Sequence, residues 1–153
     1  MKLATLCYVN NGTHTLMLNR IKRKDDLHYG KWNGLGGKFE PGETPEECVV
    51  REVYEESGLK IKYPKLRGVI TFPSFDFEED WYVFVFTAKH YEGELKKECN
   101  EGVLKWVPNS VLDKLELWDG DKIFMEWLNG DKFFSAKFIY ENGKFKTYSV
   151  LFY

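Results

Sequence analysis

Glu52, Glu55 and Glu56 stand three and four residues apart. On a helix turning 100° per residue they share one arc of about 100°. Val49, Val53, Val50 and Tyr54 fall on nearly the opposite side, so the segment reads as amphipathic, with its apolar face to a core and its acids to solvent. Like charges at these spacings repel by roughly 0.2–0.5 kcal/mol per pair, and Arg51 is placed to neutralise only the Glu55 side. A bound cation would relieve the remainder. Clustered carboxylates without histidine or thiolate suit hard, oxygen-preferring ions, Mg²⁺ or Mn²⁺, rather than zinc. The alternative is a solvated acidic face. Just upstream, Trp32 to Gly42 holds four glycines in eleven residues, which implies a backbone approach that a Cβ would forbid.

Local signals frame these acids. Thr44-Pro45-Glu46-Glu47 reads as a helix start, with Thr at N-cap, Pro at N1 and Glu at N3 forming a capping box. Gly58 suits the left-handed position that ends the helix after Ser57. Residues 3–9 and 14–20 read as two strands joined by the Asn10-Asn11-Gly12 turn, and 21–31 as a charged loop. Strands are predicted over 66–72, 81–88 and 103–107. A short helix is expected near 109–114 and a longer one over about 119–128. Residues 132–140 and 145–153 read as a hairpin around Glu141-Asn142-Gly143.

Gly37, five residues, Glu43, seven residues, then Arg51-Glu52-Val53-Tyr54-Glu55-Glu56-Ser57-Gly58-Leu59 resembles a complete Nudix box. Trp32–Lys38 (WNGLGGK), Trp106 after an acidic loop, and Trp118 near Asp121 are similar to the MutT-type branch, which hydrolyses oxidised purine nucleoside triphosphates. The resemblance implies a Nudix-type α/β/α sandwich, α/β (α+β) in class, with a mixed central sheet. It implies that Glu52, Glu55 and Glu56 bind metal and catalyse, and that the Gly37 carbonyl is a metal ligand. Arg51 would orient a box glutamate, Glu43 would help hold the loop through Arg51, and Lys38 would meet phosphate. A further carboxylate, as ligand or general base, is expected from the loop before Trp106; Glu101 is favoured and Glu98 is the fallback. The base is either Glu101 or a box glutamate. Asn33 is expected to offer its amide to a purine edge, with Trp118 stacking and Asp121 as the acid. The alternatives are a turn cap for Asn33, and core packing and a helix cap for the other two. The branch's pair of adjacent acids is broken here, because Asp119-Gly120-Asp121 puts glycine at one position.

Other residues carry weaker readings. Arg23, in the run Arg20-Ile21-Lys22-Arg23-Lys24, is a candidate substrate contact steering a triphosphate, or part of a solvated loop. Phe72, Phe75 and Phe77 line a base pocket or pack a core or rim. Cys48 is read as small packing, and His28 as a solvated loop residue rather than a ligand contact.

The chain's 153 residues, 43% hydrophobic and 17% aromatic, are one domain's worth, and the expectation is a single domain over 1–153. Its 22 basic and 24 acidic residues give a net charge of −2, so no stable nucleic-acid complex is expected. Cys7, Cys48 and Cys99 form no C-x-x-C pair, which argues against a disulfide framework and for a reducing compartment. No signal peptide or membrane span is read, and the expected location is cytoplasmic. The sequence-based conclusion is a Mg²⁺-dependent hydrolase (Mn²⁺ also suits the site). Its partner would be a small-molecule nucleotide, foremost 8-oxo-dGTP, cleaved to the monophosphate and pyrophosphate. Dinucleoside polyphosphates, nucleotide sugars and a non-catalytic binding module are the alternatives. Oligomeric state is not legible.

Overall fold

The structure, a computed structural model, describes residues 1–76 and 78–153. Phe77, one of the aromatics considered for a base pocket, lies outside the described residues. The chain runs β1 (Lys2–Val9), β2 (His14–Asn19), β3 (Trp32–Asn33), α1 (Pro45–Ser57), β4 (Lys60–Lys62), β5 (Lys65–Asp76) and β6 (Glu79–Ala88). It continues through β7 (His90–Glu92), β8 (Val103–Pro108), a 3₁₀ turn (Asn109–Lys114), α2 (Asp119–Trp127), β9 (Phe134–Glu141) and β10 (Lys144–Phe152). Among the described residues no helix is long and apolar enough to cross a membrane.

The central sheet has the order β1-β6-β5-β9-β10 and is mixed, as the resemblance implied. β1 runs parallel to β6 and β5 parallel to β9, while β5–β6 and β9–β10 are antiparallel. A three-stranded sheet, β3-β2-β8, and the pair β4-β7 flank it. Alternation along the strands divides the core into two layers. Cys7 and Val9 of β1 and Phe86 of β6 join Val49 and Val53 of α1 on one side. Tyr8, Val85, Phe134 and Phe138 join Phe124 of α2 on the other. One helix therefore backs each face.

The helix limits read from sequence hold. Thr44 Oγ1 accepts the Glu47 N–H at 3.1 Å, Glu47 Oε1 accepts the Thr44 N–H at 3.0 Å, and Gly58 is left-handed at φ 79°. The β9–β10 hairpin also turns where expected, with Asn142 and Gly143 both at positive φ.

The pairing of β1 with β2 across the Asn10-Asn11-Gly12 turn does not hold. The two strands share only the isolated bridge Asn10–Thr15 before parting into different sheets. Both hydrogen-bonding edges of β1 are already taken. β6 occupies one, and the glycine-rich stretch occupies the other through Cys7 N–H to Leu35 O (2.6 Å), Thr5 N–H to Gly37 O (2.9 Å) and Phe39 N–H to Leu3 O (3.1 Å). This edge pairing decides where the glycine loop faces α1.

Candidate active site

The buried stripe of α1 contains Cys48, Val49, Val53, Glu56 and Ser57. Glu56 follows Val49 by seven residues, nearly two full turns, and so lies over it on the same stripe. It is 7% exposed, not turned to solvent, whereas Tyr54, expected on the apolar face, is 56% exposed. The Gly36 N–H donates to Glu56 Oε1 at 2.8 Å. Burial, reinforced by Glu52 and Glu101, outweighs that bond and pushes the Glu56 carboxyl up to about 8. The Glu52 carboxyl is also raised, mainly by burial, against the pull of Arg51.

Arg51 does more than neutralise Glu55. Its Nε and Nη2 donate to the two oxygens of Glu43 at 2.7 and 2.9 Å, its Nη1 to Glu52 at 2.8 Å and Glu55 at 3.2 Å, and its Nη2 to the Lys38 carbonyl at 3.0 Å. The side chain is long enough to reach across the arc. The paired fork on Glu43 holds that carboxyl down to about 2. Glu43 Oε1 in turn accepts the Glu40 N–H at 2.7 Å, which pins the loop leading into the helix. At Gly37 a Cβ would lie 2.4 Å from the Glu52 carboxyl carbon, so a side chain there would displace the Glu52 carboxylate from its place beside Arg51.

The Gly37 carbonyl, expected as a metal ligand, is instead engaged by β1. It accepts the Thr5 N–H at 2.9 Å and is approached by the Thr5 hydroxyl at 3.4 Å and the Cys48 thiol at 3.6 Å. The loop reaches the carboxylates through the Gly36 N–H rather than through this oxygen. Cys48 itself is fully buried packing.

A cavity of about 350 Å³ is walled by Glu52, Glu55, Glu56, Glu98, Cys99 and Glu101. One ligand atom from each of Glu56, Cys99 and Glu101 lies within 4.8 Å of the other two. Of the two loop acids, Glu101 is the one drawn to Glu56. Glu98 is 65% exposed and pairs with Lys22 at 3.2 Å. The Cys99 thiol donates to Glu101 Oε2 at 3.3 Å. Several carboxylates, one of them too buried to carry charge easily, fit a hard divalent cation, which would relieve the desolvation and repulsion together.

A second group of polar and aromatic side chains lies near the start of the glycine stretch and of α2. Asn33 Nδ2 and the Tyr8 hydroxyl are buried and have no hydrogen-bond partner among the described residues. Asp121 is 8% exposed, and burial pushes its carboxyl up to about 7; its charge in turn raises the Tyr8 phenol, after burial. Trp118 meets Phe75 and Tyr140 edge to face, at 5.3 and 5.4 Å between centroids. The Lys31 ammonium lies 4.9 Å from the Trp118 ring centre. Gly120, which stands where the branch has an acid, donates its N–H to the Tyr140 hydroxyl at 2.7 Å, and a Cβ there would sit 2.7 Å from that oxygen. The aromatic wall and the missing acid have one steric cause.

Compared with known families, residues 1–128 match the NUDIX domain model. The chain belongs to the Nudix family. Among curated Nudix relatives, the uncharacterized Nudix hydrolase YvcI of Bacillus subtilis (strain 168) is 31% identical over 131 residues, 84% of this chain and 79% of that protein. The oxidized purine nucleoside triphosphate hydrolase of Danio rerio is 34% identical over 129 residues, with the same shares covered. Among solved structures, the mutator MutT protein from Bacillus halodurans superposes with a TM-score of 0.87 at 32% identity, covering 98% of this chain and 97% of that one. This Nudix chain is accordingly a hydrolase of pyrophosphate bonds in nucleoside diphosphate derivatives, a class that generally needs divalent ions such as Mg²⁺.

The Nudix fold brings Glu52, Glu55, Glu56 and Glu101 to the acidic cavity, with Arg51 and Glu43 bonded behind them, whereas Asn33, Trp118 and Asp121 lie outside that cavity. Lys38 is exposed, with its ammonium 5.5 Å from the Trp81 ring centre. Arg23 is 60% exposed, 3.7 Å from Asp25, and does not line the acidic cavity. Asp121 makes no side-chain cap for α2. Sequence reasoning missed Tyr8 and Cys99 and took His28 for a solvated residue, whereas its Nδ1 accepts the Trp118 Nε1–H at 2.7 Å. Strand alternation puts Tyr8 opposite Cys7 and Val9, which was the available signal for it.

Proposed function

We propose that this Nudix hydrolase cleaves an oxidised purine nucleoside triphosphate, 8-oxo-dGTP foremost, to the monophosphate and pyrophosphate. The observation that carries the reading is the buried Asn33 amide and Tyr8 hydroxyl, both without hydrogen-bond partners among the described residues, with buried Asp121 near enough to act on Tyr8. Such groups are costly to bury unless a ligand completes their bonds. An amide that donates, a hydroxyl and a carboxyl that can hold a proton suit a purine edge bearing an extra carbonyl and N–H. Half-buried Phe75 and the open remainder of Trp118, which is 8% exposed, would supply aromatic surface for the base, with Tyr140 packed behind them.

The glycine stretch runs from Asn33 to the acidic cavity. Asn33 lies three residues before Gly36, whose N–H holds Glu56, so a base at Asn33 directs its phosphates along the loop toward the carboxylates. Glu56, Glu101 and Glu52 would hold the divalent ion, with Glu55 at the exposed rim. When bound, such an ion supplies charge neutralisation for the pyrophosphate and lowers the pKa of an attacking water. Arg51 orients Glu52 and Glu55 by hydrogen bonds, and through Glu43 and the Lys38 carbonyl it holds the loop beside them. If Glu101, whose Oε2 accepts the Cys99 thiol, does not ligate the ion, it would be the base that takes a proton from the nucleophile.

The test is a Mg²⁺-dependent assay of pyrophosphate release over a nucleotide panel, with kcat/KM compared for 8-oxo-dGTP and dGTP. A large preference for 8-oxo-dGTP is expected, because a wrong base leaves buried polar groups unpaired. A ratio near one, or faster cleavage of a dinucleoside polyphosphate or nucleotide sugar, overturns the substrate while leaving the hydrolase standing.

A further inference from the structure

The Trp118 indole is held by a residue from a distant loop. Its Nε1–H donates to His28 Nδ1 at 2.7 Å, across 90 positions of sequence. An indole nitrogen can only donate, so Nδ1 must be the bare nitrogen and the imidazole proton must sit on Nε2. The partner's chemistry thus sets both tautomer and charge. The imidazole stacks on Phe75 (6.3 Å, 27°) and stands edge-on to Trp118 (5.5 Å, 82°), and Phe75 itself meets Trp118. The three rings form a closed triangle in which each touches the other two.

The loop that carries His28 is itself anchored. Asp26 Oδ1 accepts the His28 N–H at 3.1 Å, and Asp26 Oδ2 accepts Arg20 Nε at 2.7 Å in an ion pair whose side chains are 23% and 8% exposed. The His28 carbonyl accepts the Lys31 N–H at 2.9 Å. Arg20, Asp26, His28 and Trp118 therefore form one continuous chain of hydrogen bonds from β2's end to α2's start.

We propose that His28 is a positioning residue of the substrate pocket: by accepting the indole N–H it locks the Trp118 ring plane as the surface against which a planar base stacks. This deepens the proposed function and rests on its reading that Trp118 receives the base. The charged groups facing the imidazole are Arg20, Asp26, Lys31 and, from β5, Asp76. Burial, helped by Arg20 and Lys31 against Asp26 and Asp76, holds the imidazole down at about 4. The lock is consequently closed throughout the neutral range. Because stacking is indifferent to the oxidised edge, His28 governs affinity for the base and not the choice between 8-oxo-dGTP and dGTP.

Two substitutions separate ring from acceptor. His28→Phe keeps an aromatic ring against Phe75 but strands the Trp118 N–H, and His28→Asn restores an acceptor near the Nδ1 position. In the Mg²⁺-loaded full chain, His28→Phe is expected to raise KM about tenfold, the worth of one buried hydrogen bond. The rise should be alike for 8-oxo-dGTP and dGTP, with kcat within about twofold, and His28→Asn should recover most of it. Long-range ¹⁵N–¹H spectra of the wild type should show His28 as the Nε2–H tautomer from pH 5 to 8, a readout independent of turnover. An unchanged KM in His28→Phe, or a proton on Nδ1, overturns the positioning role. Trp118→Ala distinguishes the failures. If it raises KM while His28→Phe does not, only the role of His28 falls; if it leaves KM unchanged, the base pocket falls and this inference with it.

Discussion

Glu56→Gln should cost the enzyme its turnover and yet make the metal-free protein more stable. The carboxyl titrates at an ordinary 4.5 in the unfolded chain and at about 8 in the folded one. A carboxyl raised on folding contributes fully below pH 4.5, and that contribution is lost as pH rises through 8. At pH 7 the loss is 1.36 kcal/mol per unit over the 2.5 units above 4.5, or about 3 kcal/mol. Glutamine carries no charge at any pH, its amide oxygen can still accept the Gly36 N–H, and Glu52 and Glu101 are near to accept from its NH₂. Metal-free Glu56→Gln should therefore melt higher than wild type at pH 7, at roughly 2–4 °C per kcal/mol for a chain of this size. The gap should close by pH 4.5. Saturating Mg²⁺ should raise the wild-type Tm strongly and the variant's weakly, because a ligand that binds only the folded state stabilises it by mass action. Turnover should fall by several orders of magnitude. Calorimetry at pH 4.5 and 7, with and without Mg²⁺, reads all of this. A metal-free variant less stable than wild type at pH 7, with its Mg²⁺ response intact, would refute the reasoning.

Glu101→Ala should lower turnover at least about tenfold at neutral pH, while Glu98→Ala should stay near wild type, since Glu98 is exposed and paired with Lys22; steady-state kinetics on the two variants decides. Asn33→Ala should reduce the kcat/KM preference for 8-oxo-dGTP over dGTP about tenfold without altering the Mg²⁺ dependence, and an unchanged ratio would remove Asn33 from base recognition. Acidification should destabilise the protein through His28: its folded pKa is lowered, so its contribution is present above pH 6.5 and lost as pH falls through about 4. Wild-type Tm should accordingly decline relative to His28→Phe over that window, and parallel pH curves would contradict it.

The limits of α1 were legible from sequence because capping is local: Thr44, Glu47 and Gly58 satisfy the helix ends within a few residues of themselves. The same holds for the Asn142-Gly143 turn, whose backbone demands are met by its own two residues. The order of acids and glycines that marks the Nudix box is likewise written in the chain, and with it the hydrolase class. Which strand lies beside β1 was not, because a strand's edges are neutral until a partner arrives. β6 and the glycine stretch took both, and the turn at 10–12 joins strands of different sheets. That non-local pairing placed the Gly36 N–H over Glu56 and the Gly37 carbonyl on the Thr5 N–H, so only tertiary structure decided which box acid is buried. The pocket around Trp118 arose the same way. His28, Asn33, Phe75, Trp118 and Tyr140 come from separate elements, and their roles depend on contacts across as many as 90 positions, from His28 to Trp118. Sequence periodicity reports which face of an element is apolar; it carries no record of which polar group on another element, or which ligand, will complete a buried donor.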